Sequence, residues 1–163
     1  MPLWRLGASR VRVPESPYAR GELAYLADTS AWVKSRQRSA PDWLRRHFDE
    51  LLLHEQIVTC AIVKLELLHH ESTPSASRSR RADLDTLPSV PIDAAVCARA
   101  LEIQAGLGER RGAKHRAVKL PDYLIAAASE LADTTILHYD SDYEAVASLT
   151  GQRHEWIAPR GSL

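Results

Sequence analysis

Apolar and polar positions fall into short alternating blocks along the 163-residue chain, and the spacing within each block predicts its structure. LAYLA (23–27) is a short apolar run ending at Asp28, which predicts a buried strand. Thr29 or Ser30 can cap a helix beginning AWVK. Pro41 opens a second helix, DWLRRHFDELLLHE, with Trp43, Leu44, Phe48, Leu51 and Leu52 on its apolar side. IVTC (57–60) is rich in β-branched residues and predicts a strand running directly into a helix, AIVKLELLHHE (61–71). STPSASRS (72–79) reads as a low-complexity loop. A short strand near SVPI (89–92) precedes Asp93, a candidate cap for the helix AAVCARALEIQAGLGE, and RRGAKHRAVKL (110–120) reads as a basic connector. PDYLIAAASELAD (121–133) is almost wholly apolar after its first turn, as expected of a central buried helix. TTILHY (134–139) predicts a strand ending at Asp140, SDYEAVASLTG a short helix closed by Gly151, and HEWIA (154–158) a last strand.

Strands alternating with helices predict an α/β fold, a mostly parallel sheet with helices on both faces. The chain length suits one domain, which we place at 23–158, after a basic and weakly ordered extension at 1–22 and before a tail at 159–163. No run approaches 18 apolar residues, so no membrane span is expected. Cys60 and Cys97 both sit in apolar-periodic segments and read as buried, reduced thiols of a cytoplasmic protein. Trp43 and Trp156 read as core residues, and Trp32 as core or interface.

Charge changes the picture. The 21 basic and 21 acidic residues cancel, yet residues 120–163 hold only Arg153 and Arg160 against seven acids. Such asymmetry fits a polyanionic partner, or an acidic site built around a cation.

Four carboxylates stand where such a site would form. Asp28 and Asp140 each follow an apolar strand, and ligands of parallel sheets collect at the carboxyl ends of strands. Glu66 shares a helix face with Ile62 and Val63, where an unpartnered carboxylate would cost several kcal/mol. Asp122 opens the most apolar helix. Singly, each has an ordinary reading, as a helix cap or an edge ion pair. Brought together, they would repel one another unless a cation lay between them. Oxygen donors without His or Cys suit Mg²⁺ or Mn²⁺, an ion that assists phosphodiester hydrolysis, and the basic segments could then hold a nucleic-acid backbone. Asp140-Ser-Asp142-Tyr-Glu144 begins like a calcium-binding loop, but Ala145 stands where the turn glycine is required. The chain has no HExxH, no phosphate-binding glycine loop and no Gly-x-Ser-x-Gly elbow.

Asp28-Thr-Ser-Ala-Trp, Glu66 in VKLELL, Asp122 in LPDYLIAAA and Asp140 in HYDSDYEAV resemble, in order, the acidic motifs of PIN-domain ribonucleases. The resemblance is nearest to the VapC toxins of VapBC toxin–antitoxin pairs and spans roughly residues 23–158. It implies a PIN-like three-layer α/β/α fold with a central sheet of four to five strands. It further implies one or two Mg²⁺ or Mn²⁺ ions held by Asp28, Glu66, Asp122 and Asp140, with Asp142 as an auxiliary acid. Ser30 would hydrogen-bond a ligand carboxylate or a metal-bound water. The implied activity is endoribonucleolytic, with metal-activated water attacking an RNA phosphodiester. Arg116, Lys119 and Lys34 are candidate RNA contacts, with a solvated basic surface as their alternative reading. The implied partners are RNA, a second copy of the chain, and a cognate VapB-type antitoxin through which alone DNA would be reached. The sequence departs from the family at His138-Tyr139, where many relatives carry Thr and a small or basic residue. Two other functions fit parts of the pattern. A catalytically silent PIN-fold binding module is one. A phosphoacceptor domain is the other, but it needs a lysine at the late strand end where Tyr139-Asp140 stands.

Overall fold

Tyr25–Ala27 forms strand β1, Ile57–Cys60 β2, Ser89–Val90 β3, Thr135–His138 β4 and His154–Trp156 β5 in the computed structural model, which describes residues 24–111 and 118–163. The 1–22 extension and candidate residue Arg116 therefore lie outside the described residues. The five strands form one sheet in the order β3-β2-β1-β4-β5, and every pairing is parallel. Leu26, Ile57, Val58, Ile136 and Leu137 are at most 2% exposed. Such near-continuous burial is what parallel strands covered on both faces require.

Parallel strands need crossovers, and here helices supply them. Helices α1 (Thr29–Arg36), α2 (Asp42–Leu53), α3 (Ala61–His69) and α4 (Pro74–Leu84) pack in one layer. Helices α5 (Ala94–Arg111), α6 (Leu120–Leu131) and α7 (Asp142–Thr150) pack in the other. Right-handed crossovers place consecutive helices on one face while the chain moves in one direction, and on the opposite face once it reverses. The reversal comes after β3, and it puts β1 beside β4: Tyr25 pairs with Thr135, Leu26 with Ile136 and Ala27 with Leu137. Ligands of such sheets settle at this switch point.

Helix α6 fits against the sheet because Ile125, Ala126, Ala127 and Ala128 are fully buried and mostly small. Gly106 of α5 has a comparable role, since a Cβ there would come within 2.9 Å of Leu149 Cδ2. Gly151 ends α7 at φ 74°, a left-handed cap that glycine adopts without strain.

Several sequence expectations need correction. Residues 72–79 are not a loop. Thr73 accepts a hydrogen bond from Ala76 N at 3.1 Å and Pro74 starts α4, so capping makes a helix where apolar periodicity is nearly absent. The cap of α1 is Asp28 rather than Thr29 or Ser30. Cys60 is buried, but Cys97 is exposed on α5. Trp43 is 46% exposed and Trp156 half-buried, so neither is a core residue. Trp32 is buried and packs edge-on against Phe48, with ring centroids 4.8 Å apart. The tail is tied back, Leu163 N donating to the Tyr139 hydroxyl at 2.9 Å. No described helix is long and apolar enough to cross a membrane.

Candidate active site

Asp28 leaves the carboxyl end of β1 and caps α1, so two backbone demands fix its side chain before any ligand arrives. Its Oδ2 accepts from Ser30 N at 2.9 Å and also from the Ser30 hydroxyl. Its Oδ1 accepts from the Tyr143 hydroxyl at 2.8 Å. Ser30 Oγ in turn accepts from Tyr139 N at 2.9 Å, tying α1 to the chain just beyond β4. Asp28 N closes the same seam by donating to Leu137 O at 2.9 Å.

Asp122 enters from the first turn of α6 and is 5% exposed. Its Oδ1 lies 3.5 Å from the Tyr143 hydroxyl, so one buried phenol stands between Asp28 and Asp122. Its Oδ2 is buried without a hydrogen-bond partner. Burial, followed by the Asp28 charge, pushes the Asp122 carboxyl up to about 8. Burial likewise raises the Tyr143 phenol, with Asp28 and Asp122 adding to the effect, which keeps it a neutral donor.

Asp140 and Asp142 form the outer part. Asp142 N donates to Asp140 Oδ1 at 3.1 Å, and one carboxylate oxygen from each of Asp122, Asp140 and Asp142 lies within 4.8 Å of the others. Lys119 bonds Asp140 Oδ2, lies 3.9 Å from Asp142 Oδ2, and has its ammonium pKa raised first by the Asp140 contact. Glu66, from α3, faces the same cleft and accepts from the Thr29 hydroxyl. The cleft measures about 660 Å³ and also takes in Lys34, whose ammonium sits 4.9 Å from the Tyr139 ring centroid.

All four acids of the expected quartet thus meet in one cleft. Asp142, expected as an auxiliary acid, stands outside the cleft lining but within reach of Asp122 and Asp140. Ser30 donates to Asp28 through its backbone N–H and its hydroxyl. Thr29 and Tyr143 were not singled out for the site by sequence. Tyr143 stands one helical turn beyond Asp140, an aromatic on an apolar face with nothing in its spacing to mark the hydroxyl. His138, the departure from the family pattern, is fully buried against Tyr143 and Trp156, at centroid distances of 5.0 and 4.9 Å. Its Nδ1 accepts from Asp140 N at 3.0 Å, which leaves Nε2 to donate to His154 Nδ1 at 2.9 Å. Burial and then His154 push the imidazole down to about 4, so the ring that orients the Asp140 backbone is neutral.

A PIN domain profile matches residues 25–149, from the first residue of β1 to the last turn of α7. The chain is 39% identical over 142 residues to Ribonuclease VapC18 of Mycobacterium tuberculosis, covering 86% of this chain and 100% of that protein. The chain belongs to the PIN-domain family, in its VapC group. Ribonuclease VapC51 of the same organism is 33% identical over 141 residues, covering 86% of this PIN domain's chain and 98% of the relative. The fold is similar to that in the Rickettsia felis VapBC2 complex bound to a promoter DNA fragment, with TM-score 0.64 and 16% identity over 82% of this chain and 98% of that one. A DNA-bound VapBC of Salmonella typhimurium gives TM-score 0.61 and 18% identity, over 84% of this chain and 100% of the other.

Proposed function

We propose that this PIN domain is the toxin of a type II toxin–antitoxin pair, an endoribonuclease that hydrolyses RNA phosphodiester bonds with Mg²⁺ or Mn²⁺ and is neutralised by a VapB-type antitoxin. The observation that carries the reading is the meeting of Asp28, Glu66, Asp122 and Asp140 at the β1–β4 switch point, with Asp122 Oδ2 buried and unpartnered among them. A buried carboxylate oxygen without a donor is costly unless a ligand completes it. A cluster of hard oxygen donors fits one or two divalent ions of the Mg²⁺ type. Asp28, Asp122 and Asp140 would hold the ion, with Glu66 and Asp142 supporting it.

The bound ion would polarise a phosphoryl oxygen and lower the pKa of a water molecule. The chain's own residues set the geometry. Ser30 and Tyr143 hold Asp28 from opposite sides, Thr29 holds Glu66, and the backbone N–H of Asp142 holds Asp140. Lys34 and Lys119 at the mouth would receive the RNA backbone, their charges contributing sequence-independent affinity.

Names and assemblies of the relatives support the biological half of the proposal. The sequence relatives named above are called ribonucleases, and the two similar folds named above come from VapBC complexes on DNA. Pairing of two copies, and DNA contact only through the antitoxin, belong to the same proposal. The test is purified full-length protein with total RNA and Mn²⁺ or Mg²⁺, followed by mapping of new 5′ ends. Discrete ends that vanish with chelator and return on adding the ion are expected. Cleavage that persists in excess chelator would refute the metal-dependent reading.

A further inference from the structure

Lys119 lies against two acids of the cluster that the metal reading assigns to an ion. It is the N-cap residue of α6, and its backbone N–H donates to Asp142 Oδ2 at 3.3 Å. Its ammonium bonds Asp140 Oδ2 and approaches Asp142 Oδ2 at 3.9 Å. Those two carboxylates are two of the three acids whose oxygens gather within 4.8 Å of one another. The third, Asp122, keeps its Oδ2 unpartnered, so the lysine neutralises the outer part of the cluster and leaves the buried corner unsatisfied.

An ammonium and a divalent ion cannot share these oxygens. Mg²⁺ draws its ligands to about 2.0–2.1 Å, well inside the N–O distance of an ion pair. The lysine stem is flexible and its side chain is 62% exposed, against 22% and 16% for the two acids. Exchange therefore costs the lysine a swing into solvent, while the carboxylates stay in place. Lys34 offers the contrast: it lies in the same cleft, yet its ammonium rests on the Tyr139 ring.

We propose that Lys119 is a tethered counter-cation, which holds Asp140 and Asp142 together in the metal-free site and must be displaced before those acids take up a divalent ion. It thereby sets the affinity of the site for the ion. This rests on the metal reading of the cleft given above. Apparent affinity is the intrinsic affinity reduced by the fraction of molecules with the site open, so a lysine seated nine-tenths of the time weakens binding about tenfold. Once released, the same side chain stands at the cleft mouth, free to meet a phosphate.

Calorimetric titration of the metal-free, full-length protein with MnCl₂ tests this, using wild type, Lys119→Met and Lys34→Met. Lys119→Met is expected to bind Mn²⁺ about tenfold more tightly, and Lys34→Met to stay within about twofold of wild type. Melting temperatures supply a readout independent of turnover. Lys119→Met should melt lower than wild type without the ion and at least as high with it, whereas a merely structural lysine would lower both. Unchanged affinity in Lys119→Met, an equal gain in Lys34→Met, or parallel loss of melting temperature with and without Mn²⁺ would each overturn the inference. If wild type itself takes up no Mn²⁺, the metal reading falls and this inference with it. Wild-type binding with an unaltered Lys119→Met sinks the counter-cation alone.

Discussion

At the amino end of β4, Ser129, Thr134 and Gln152 are buried; at its carboxyl end, beside the neutral His138, the buried acids are Asp28 and Asp122. The first set is neutral and closed on itself. Gln152 Nε2 donates to Ser129 Oγ at 3.0 Å, Thr134 O at 2.9 Å and Arg153 O at 2.9 Å, and the two hydroxyls lie 2.8 Å apart. The second set is acidic and open, with Asp122 Oδ2 unpartnered and a single phenol between its two carboxyl groups. Burial alone does not separate a structural network from a site. What separates them is whether the protein itself supplies all the partners.

The contrast is most sharply broken at the acids. Asp122→Asn or Asp28→Asn should lower RNA cleavage by about a thousandfold or more, because several kcal/mol of transition-state stabilisation leave with the ligand charge. The folded state and antitoxin binding should survive, and cleavage at wild-type rate in either variant would refute the site. Tyr143→Phe removes only the hydroxyl between Asp28 and Asp122, and we expect Mn²⁺ affinity to fall about 10–100-fold with the fold intact.

At the opposite end the expected effect is on stability. Gln152→Ala strips three donor contacts and should cost about 1–3 kcal/mol in urea unfolding, while cleavage per folded molecule is unchanged. A loss of turnover without a loss of stability would erase the distinction between the two ends.

The smallest effect is a pH slope in chelated protein. Folded Asp122 holds its proton up to about pH 8, whereas the unfolded carboxyl releases it near 3.8, so its contribution to stability is lost as pH rises through that interval. His138 acts in the other direction: folded, it stays neutral down to about 4, against 6.5 unfolded, so its contribution grows with pH between those values. Above about 6.5 only the contribution of Asp122 still changes. Metal-free stability should therefore decline between about pH 6.5 and 8, and Asp122→Asn should flatten that decline in a series of thermal melts.

The strands and most helices were legible because burial on both faces leaves unbroken apolar runs, such as IVTC and TILH. Helix α4 was not, since Leu84 is its one buried residue and its existence rests on Thr73 and Pro74 rather than on periodicity. Exposure of Trp43 and Cys97 was equally hidden, because residue type says how apolar a side chain is and not whether a neighbour covers it. The four acids could be found from their positions after strands and at helix starts. Tyr143 could not: its role depends on α7 reaching back over β1, a contact between residues 115 positions apart. Lys119 was visible as a basic residue near an acid, but its direction was not, and the fold turns it inward toward Asp140.

The seam between β1 and β4 also orders events in time. Asp28 and Glu66 are made early, but Asp122 and Asp140 emerge from the ribosome only after α5 and the connector, and β4 must then slot in beside β1. Such long-range parallel pairing is among the later steps of folding. A nascent chain stalled or cut before β4 carries three of the four acids but lacks Asp140 and the strand that pairs with β1. The acid set is thus complete only when synthesis is nearly finished.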